Sequence, residues 1–193
     1  MIGVIDQFVL NERWLGIAGK QSTLNGVPIR TDGATALSNA EMYSTTPDMF
    51  QKGDALSKFN AMRRAVRTAH YGADCYAYAL VASGFGADIV LEADLGLYDY
   101  CSLVPILQGA GGVISDWTGN SLTLANHDIS KGRVLASANP LLHRQALDIL
   151  NAPNDELLAM LNENSFTNQQ QHGSITPWIC GVMLGEAIAH YAP

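Results

Sequence analysis

Glu92 ends an apolar run, and Asp99 opens a second one that closes on Gly109-Ala-Gly-Gly112. The first run reads as a strand and the second as a helix, so two carboxylates fall where a strand end meets a helix start. A helix N-terminus presents free N–H groups and the positive end of its dipole, which suits anions such as phosphate. A carboxylate at the same place can hold a hard cation such as Mg2+ through oxygen. An Asp at a helix start is also a common N-cap with no metal duty, and both readings of Asp99 stand on spacing alone. Asp74 has the same double character. It precedes the apolar run Cys75-Tyr-Ala-Tyr-Ala-Leu80 and reads as the cap of a helix that Gly84-Phe-Gly86 stops.

Other chemistries have little support. Histidines at 70, 127, 143, 172 and 190 are scattered and form no metal-binding pair. The three cysteines, Cys75, Cys101 and Cys180, form no CxxC, so neither a zinc site nor a disulfide framework is indicated. Cys75 and Cys101 are expected as buried thiols. The net charge of −7 disfavours nucleic acid as a partner, because phosphate backbones need clustered Lys and Arg. With 48% hydrophobic and 15% charged residues among 193, the chain can bury a core. The start, Met-Ile-Gly-Val-Ile-Asp, has no basic region followed by an apolar stretch, so the expected compartment is the cytoplasm.

The elements that must position the carboxylates follow from periodicity. Residues 2–10 and 13–18 read as strands, Asn25-Gly26 as a turn, and Met42-Tyr-Ser-Thr-Thr46 as a strand ending at Pro47. Apolar positions at helical spacing predict a helix over 54–67. Residues 88–92 read as a buried strand and 98–108 as an internal helix bent at Pro105. Residues 113–115 and 134–138 read as strands, and Asn139-Pro140 starts a helix reaching about Leu150. Strands first, then helices alternating with strands, predict one sheet with helices packed against it. Residues 152–193 contain no Lys or Arg, and they read as an appended tail. Within the tail, 178–191 is an apolar helix candidate too short to span a bilayer.

These residues add up to a resemblance. The run 99–112 resembles the C-terminal signature of the inositol monophosphatase family. The stretches 3–16 and 71–80, Gly-Val-Ile-Asp-Gln-Phe-Val-Leu-Asn-Glu-Arg-Trp-Leu-Gly and Tyr-Gly-Ala-Asp-Cys-Tyr-Ala-Tyr-Ala-Leu, look like its histidinol-phosphate phosphatase branch. The likeness covers about residues 2–150. It implies that Asp99 ligates Mg2+, that Glu92 contacts the alcohol portion of the substrate, and that Asp74 lies at the substrate end of the pocket. It implies hydrolysis of a small phosphate monoester, histidinol phosphate first, with inositol monophosphate or another sugar phosphate as the alternative.

The family's Asp-Pro-Ile-Asp-Gly-Thr-type motif is not found in the sequence. The expectation is therefore the C-terminal half of the layered α/β sugar-phosphatase fold over residues 1–151, plus a helical tail over 152–193. No catalytic residue is assigned. Such a half would bind Mg2+ weakly and be inactive alone, or persist as a non-catalytic partner-binding remnant. Expected partners are a small phosphate ester and either a second copy or a missing N-terminal half, with no nucleic acid and no membrane.

Overall fold

The computed structural model describes residues 1–153 and Leu157. Strand β1 (Ile2–Gln7) pairs antiparallel with β2 (Glu12–Ile17), Val4 lying opposite Leu15. The strand is shorter than its apolar run because the connection needs Asn11 in the left-handed region, at φ 55°. Two short strands follow, β3 (Thr23–Leu24) and β4 (Val27–Pro28). The turn between them has Asn25 at φ 51° and Gly26 at φ 81°, the left-handed pair that matches strand twist. These four strands form one antiparallel sheet in sequence order.

A second sheet begins with β5 (Glu41–Ser44). A 3-10 turn at Pro47–Phe50 leads to α1 (Ala55–Ala65), β6 (Thr68–Tyr71), α2 (Cys75–Ser83) and β7 (Ile89–Glu92). Then come α3 (Leu97–Tyr100), α4 (Leu103–Gly109), β8 (Val113–Ser115), α5 (His127–Ser130), β9 (Val134–Ser137) and α6 (Pro140–Leu150). The strand order is β6-β5-β7-β9-β8. β5 runs parallel to both β6 and β7, and β9 is antiparallel to β7 and β8.

Helices α2 and α4 lie between the two sheets, and α1 and α6 pack together on the far side of the second sheet. One core, with Trp14, Tyr78, Val90, Ile106 and Ala136, fills the space between the sheets. The other, with Met42, Phe59, Leu91, Leu135 and Leu142, lies under α1 and α6. Neighbours Val90 and Leu91 thus serve opposite cores, the alternation of a strand buried on both faces. Burying a large apolar side chain contributes roughly 1.5–3 kcal/mol. Glycine lets the first sheet reach α4: a Cβ on Gly3 would meet the Ser102 carbonyl oxygen at 1.8 Å, and one on Gly16 the Ile106 nitrogen at 2.4 Å.

Several expectations are corrected here. The single sheet is two, because the antiparallel ladder of β1–β4 is not continuous with the mixed one. The C-terminal half-fold is corrected too: the described residues build a layered α/β sandwich, two sheets with helices between and outside them. The helix expected over 98–108 is divided into α3 and α4, because Pro105 has no N–H for the Cys101 carbonyl and its ring crowds that oxygen. Strand β6 was not foreseen. It is a partly exposed edge strand whose Thr-Ala-His-Tyr carries no apolar alternation. Neither Cys75 nor Cys101 is fully buried; Cys75 is exposed at the start of α2. The tail, including the helix expected over 178–191, lies outside the described residues.

Candidate active site

Three parallel strands lie side by side in the order β6-β5-β7, so their carboxyl ends open on one edge of the sheet. In open α/β sheets that edge is where a crevice for ligands forms. The loop after β6 carries Asp74, Thr45 follows β5, Glu92 ends β7, and Asp99 lies in the short helix beyond it. The fold thus brings the three sequence-predicted carboxylates to one edge.

Glu92 is buried at the end of β7, with only 2% of its surface exposed. Its Oε1 accepts hydrogen bonds from the Thr45 backbone N–H at 3.0 Å and the Thr45 hydroxyl at 2.6 Å. Oε2 accepts from the Tyr78 hydroxyl at 3.4 Å. Burial pushes the Glu92 carboxyl above its ordinary value; the Thr45 donors oppose this, and the charge of Asp74 adds to it. Tyr78 is pushed up further, by burial first and then by the charges of Glu92, Asp74 and Asp99. All three carboxylates therefore act on one buried phenol.

Asp74 and Asp99 are on the exposed rim. Asp74 occupies the N-cap position of α2, but its side chain makes no cap hydrogen bond, which corrects the capping expectation. Its backbone, at φ 48° and ψ −139°, is in a sparsely populated region that costs of order 1–3 kcal/mol and clusters at functional sites. Asp99 is the third residue of α3, and its Oδ2 accepts from the Gly96 backbone N–H at 2.8 Å. It closes the first turn of the helix.

Periodicity did not single out Thr45 or Tyr78. Thr45 sits in a Ser-Thr-Thr-Pro strand exit and Tyr78 in an apolar helix. Only the pairing of β5 with β7, and α2 lying over β7, reveal that both hold Glu92.

The sequence pattern of the inositol monophosphatase family matches residues 1–154. The chain belongs to the inositol monophosphatase family. A bifunctional phosphatase, IMPL2, of Arabidopsis thaliana is 41% identical over 153 residues, covering 78% of this chain and 44% of that protein. A solved inositol monophosphatase from Zymomonas mobilis is 34% identical at a TM-score of 0.72, covering 79% of this chain and 58% of that one. A histidinol-phosphatase from Chlorobaculum parvum is 25% identical over 146 residues, covering 76% of this chain and 54% of that protein. The chain spans about half the length of the curated relatives it matches.

These findings correct the remaining expectations. The inositol monophosphatase of known structure shares more identity than the relative named histidinol-phosphatase, so the histidinol-phosphate branch and a place in histidine biosynthesis are withdrawn. The expectation of a truncated half needing a missing N-terminal half is withdrawn as well. The family match runs over residues 1–154, and the described residues carry both sheets and the helices between them. The inactivity inferred from truncation falls with it.

Membership in the family implies a Mg2+-dependent mechanism. Among the described residues, however, no group of three or more His, Cys, Asp or Glu side chains is placed to hold a metal ion. Glu92 is engaged by Thr45 and Tyr78, and one oxygen of Asp99 by Gly96. The described donors do not make a Mg2+ cage by themselves. Among the same residues, no helix is long and apolar enough to cross a membrane.

Proposed function

We propose that this chain serves hydrolysis of phosphate monoesters of small polyols, with inositol monophosphate or a similar sugar phosphate as substrate. In this reading Glu92 receives a hydroxyl of the alcohol portion, Asp74 lines the same end of the pocket, and Asp99 supplies one carboxylate ligand to Mg2+. The observation that carries the reading is the convergence of Glu92, Asp74 and Asp99 around Tyr78 at the carboxyl edge of the parallel strands, in a member of this family.

The chemistry of Glu92 suits a polyol. A carboxylate offers about four lone-pair positions. Thr45 and Tyr78 take three, and the Tyr78 bond, at 3.4 Å, is the weakest. What remains faces a hydroxyl donor, and the exposed rim carboxylates repel anionic parts of a ligand from all but a cation-bridged position. A substrate hydroxyl then fixes the alcohol while the phosphoryl group lies toward Asp99.

The test is phosphate release from inositol monophosphate and from 4-nitrophenyl phosphate, with Mg2+ and with EDTA. Mg2+-dependent release is expected. Glu92→Gln should raise KM for the polyol ester and leave the hydroxyl-free aryl ester nearly unchanged. Absence of release from either ester in Mg2+, or equal effects of the substitution on both, would overturn the reading.

A further inference from the structure

A second cavity lies away from the carboxylate edge, where the β2–β3 connection and the end of α4 face Arg30. Its volume is about 580 Å³, within the range of small-molecule sites. Lys20 and Arg30 line it, together with Gln21, Gln108, Gly109 and Gly111. No Asp or Glu lines it. In a chain of net charge −7 that is a local reversal of sign.

The pairing of the cations sharpens this. Arg13, Lys52, Lys58, Arg67 and Arg133 each sit on a carboxylate. Among the described residues, neither Lys20 nor Arg30 has a carboxylate partner, a state they share with Arg63, Lys131 and Arg144; what sets them apart is that they line one space together. The negative end of the α4 dipole, which would oppose an anion here, is closed by protein donors. The Gly109 carbonyl accepts from the Ser22 N–H at 3.0 Å and the Ala110 carbonyl from the Thr31 N–H at 3.0 Å. The Gln108 and Leu107 carbonyls accept from Gly111 and Gly112 at 3.1 and 2.9 Å. Two cations and the Gln108 amide are left facing one space, while Gln21 Nε2 already donates to the Ile29 carbonyl at 3.4 Å.

We infer that the cavity bounded by Lys20, Arg30, Gln108 and Gly109 binds a phosphate dianion, free or carried by a small organic ester, at a site distinct from the Glu92 crevice. Lys20 supplies a point charge and Arg30 a planar fork suited to two phosphate oxygens. The Gln108 amide and the second N–H of Gln21 donate to the rest. The cavity is larger than phosphate alone needs, so it has room for the carrier of an ester.

The test uses the full chain in EDTA, where the carboxylate crevice repels phosphate. Phosphorus NMR would follow inorganic phosphate in one arm and glycerol 2-phosphate in the other. Amide shifts of Gly109 and Gly111 would report the place of binding. Both phosphates are expected to bind at concentrations on the order of 10 mM or below, with the ester tighter if the carrier is held and the two equal if phosphate alone is recognised. Lys20→Gln with Arg30→Gln should weaken binding at least about tenfold, and Arg144→Gln, a cation elsewhere on the surface, should leave it unchanged. Shifts confined to the Asp99 and Glu92 region, wild-type affinity in the double variant, or no binding of either phosphate would overturn the assignment.

Discussion

Glu41 and Glu92 stand at opposite ends of the same parallel strands, and the protein treats them in opposite ways. Glu41 opens β5 and lies between Arg67 and His70. Its Oε1 accepts from Arg67 Nε at 2.7 Å, and its Oε2 lies 2.5 Å from His70 Nε2. The His70 hydrogen bond, then Arg67, hold its carboxyl below the ordinary value against some burial. Glu92 ends β7 among neutral donors, and burial lifts it. A carboxylate given cations is a structural ion pair. One buried with only hydroxyl and amide donors, and with two further carboxylates nearby, is held at a cost that a packing role does not explain. This contrast directs attention to the carboxyl edge of the sheet rather than the amino edge.

The largest expected effect tests burial without ionic pairing in a group of the other charge type. His143 is buried, with Ser115 Oγ 2.9 Å from Nε2 and Ser137 Oγ 3.1 Å from Nδ1. Burial lowers it from 6.5 to about 4. The unfolded chain then binds the extra proton first, so stability is full above about pH 6.5 and is lost as pH falls toward 4. The loss from this group should approach about 3 kcal/mol. Denaturant melts at pH 7, 5.5 and 4.5 check it. A His143→Gln variant should show a flatter pH dependence, and an unchanged slope would break the rule that burial governs these groups.

Next is the pair itself. Glu92→Gln should lower kcat/KM for a polyol phosphate by roughly 10- to 100-fold, as expected for a lost charge-assisted hydrogen bond. Glu41→Gln should change it less than about 2-fold, as befits a group away from the crevice. Steady-state kinetics on both variants decide it. Equal losses would mean that the contrast in environment does not report function.

Thr45→Val sharpens the account of Glu92 alone. Removing the 2.6 Å hydroxyl donor should raise the Glu92 carboxyl further, since that bond lowers it. The acid limb of the pH–rate profile should move upward relative to the wild type. A limb that stays in place would show that Glu92 does not control it.

The smallest effects are on stability. Glu92 has its folded value raised, so its ionisation opposes folding as pH rises above 4.5, and this opposition fades as pH falls back to that value. Glu41, with its folded value lowered, contributes stability above 4.5 that is lost as pH falls through its folded value. At pH 7, Glu41→Gln should cost about 0.2–1 kcal/mol, the range for partly exposed ion pairs. Glu92→Gln should be neutral or slightly stabilising. Chemical denaturation of the two variants at pH 7 would show the signs, and a shared sign would erase the comparison.

Local signals made much of the frame legible. Apolar runs and turn residues marked β1, β2, β5 and β7. Helical spacing marked α1, and Asn139-Pro140 marked the start of α6, where the Asn139 side chain accepts from the Leu142 N–H at 2.9 Å. The strand-end and helix-start positions of Glu92 and Asp99 were legible for the same reason: alternation and capping are properties of a few neighbouring residues. Strand β6 was not legible, because an edge strand without apolar alternation is defined by its partner. The break before Pro105 is not legible as a full division, since a single lost hydrogen bond divides a helix only when packing accepts it.

The sequence by itself determined most of the strands and helices, that Glu92 ends a strand and Asp99 lies at a helix start, and, through its motifs, the family but not the branch. Tertiary structure alone decided that the strands form two sheets, that Thr45 and Tyr78 close on Glu92, and that Glu41 meets Arg67 and His70. Strand pairing, not neighbouring sequence, decides which residues meet across 47 positions, the separation of Thr45 from Glu92. A carboxylate's ionisation depends on the partners and burial found there, so its role becomes visible only once the chain has folded.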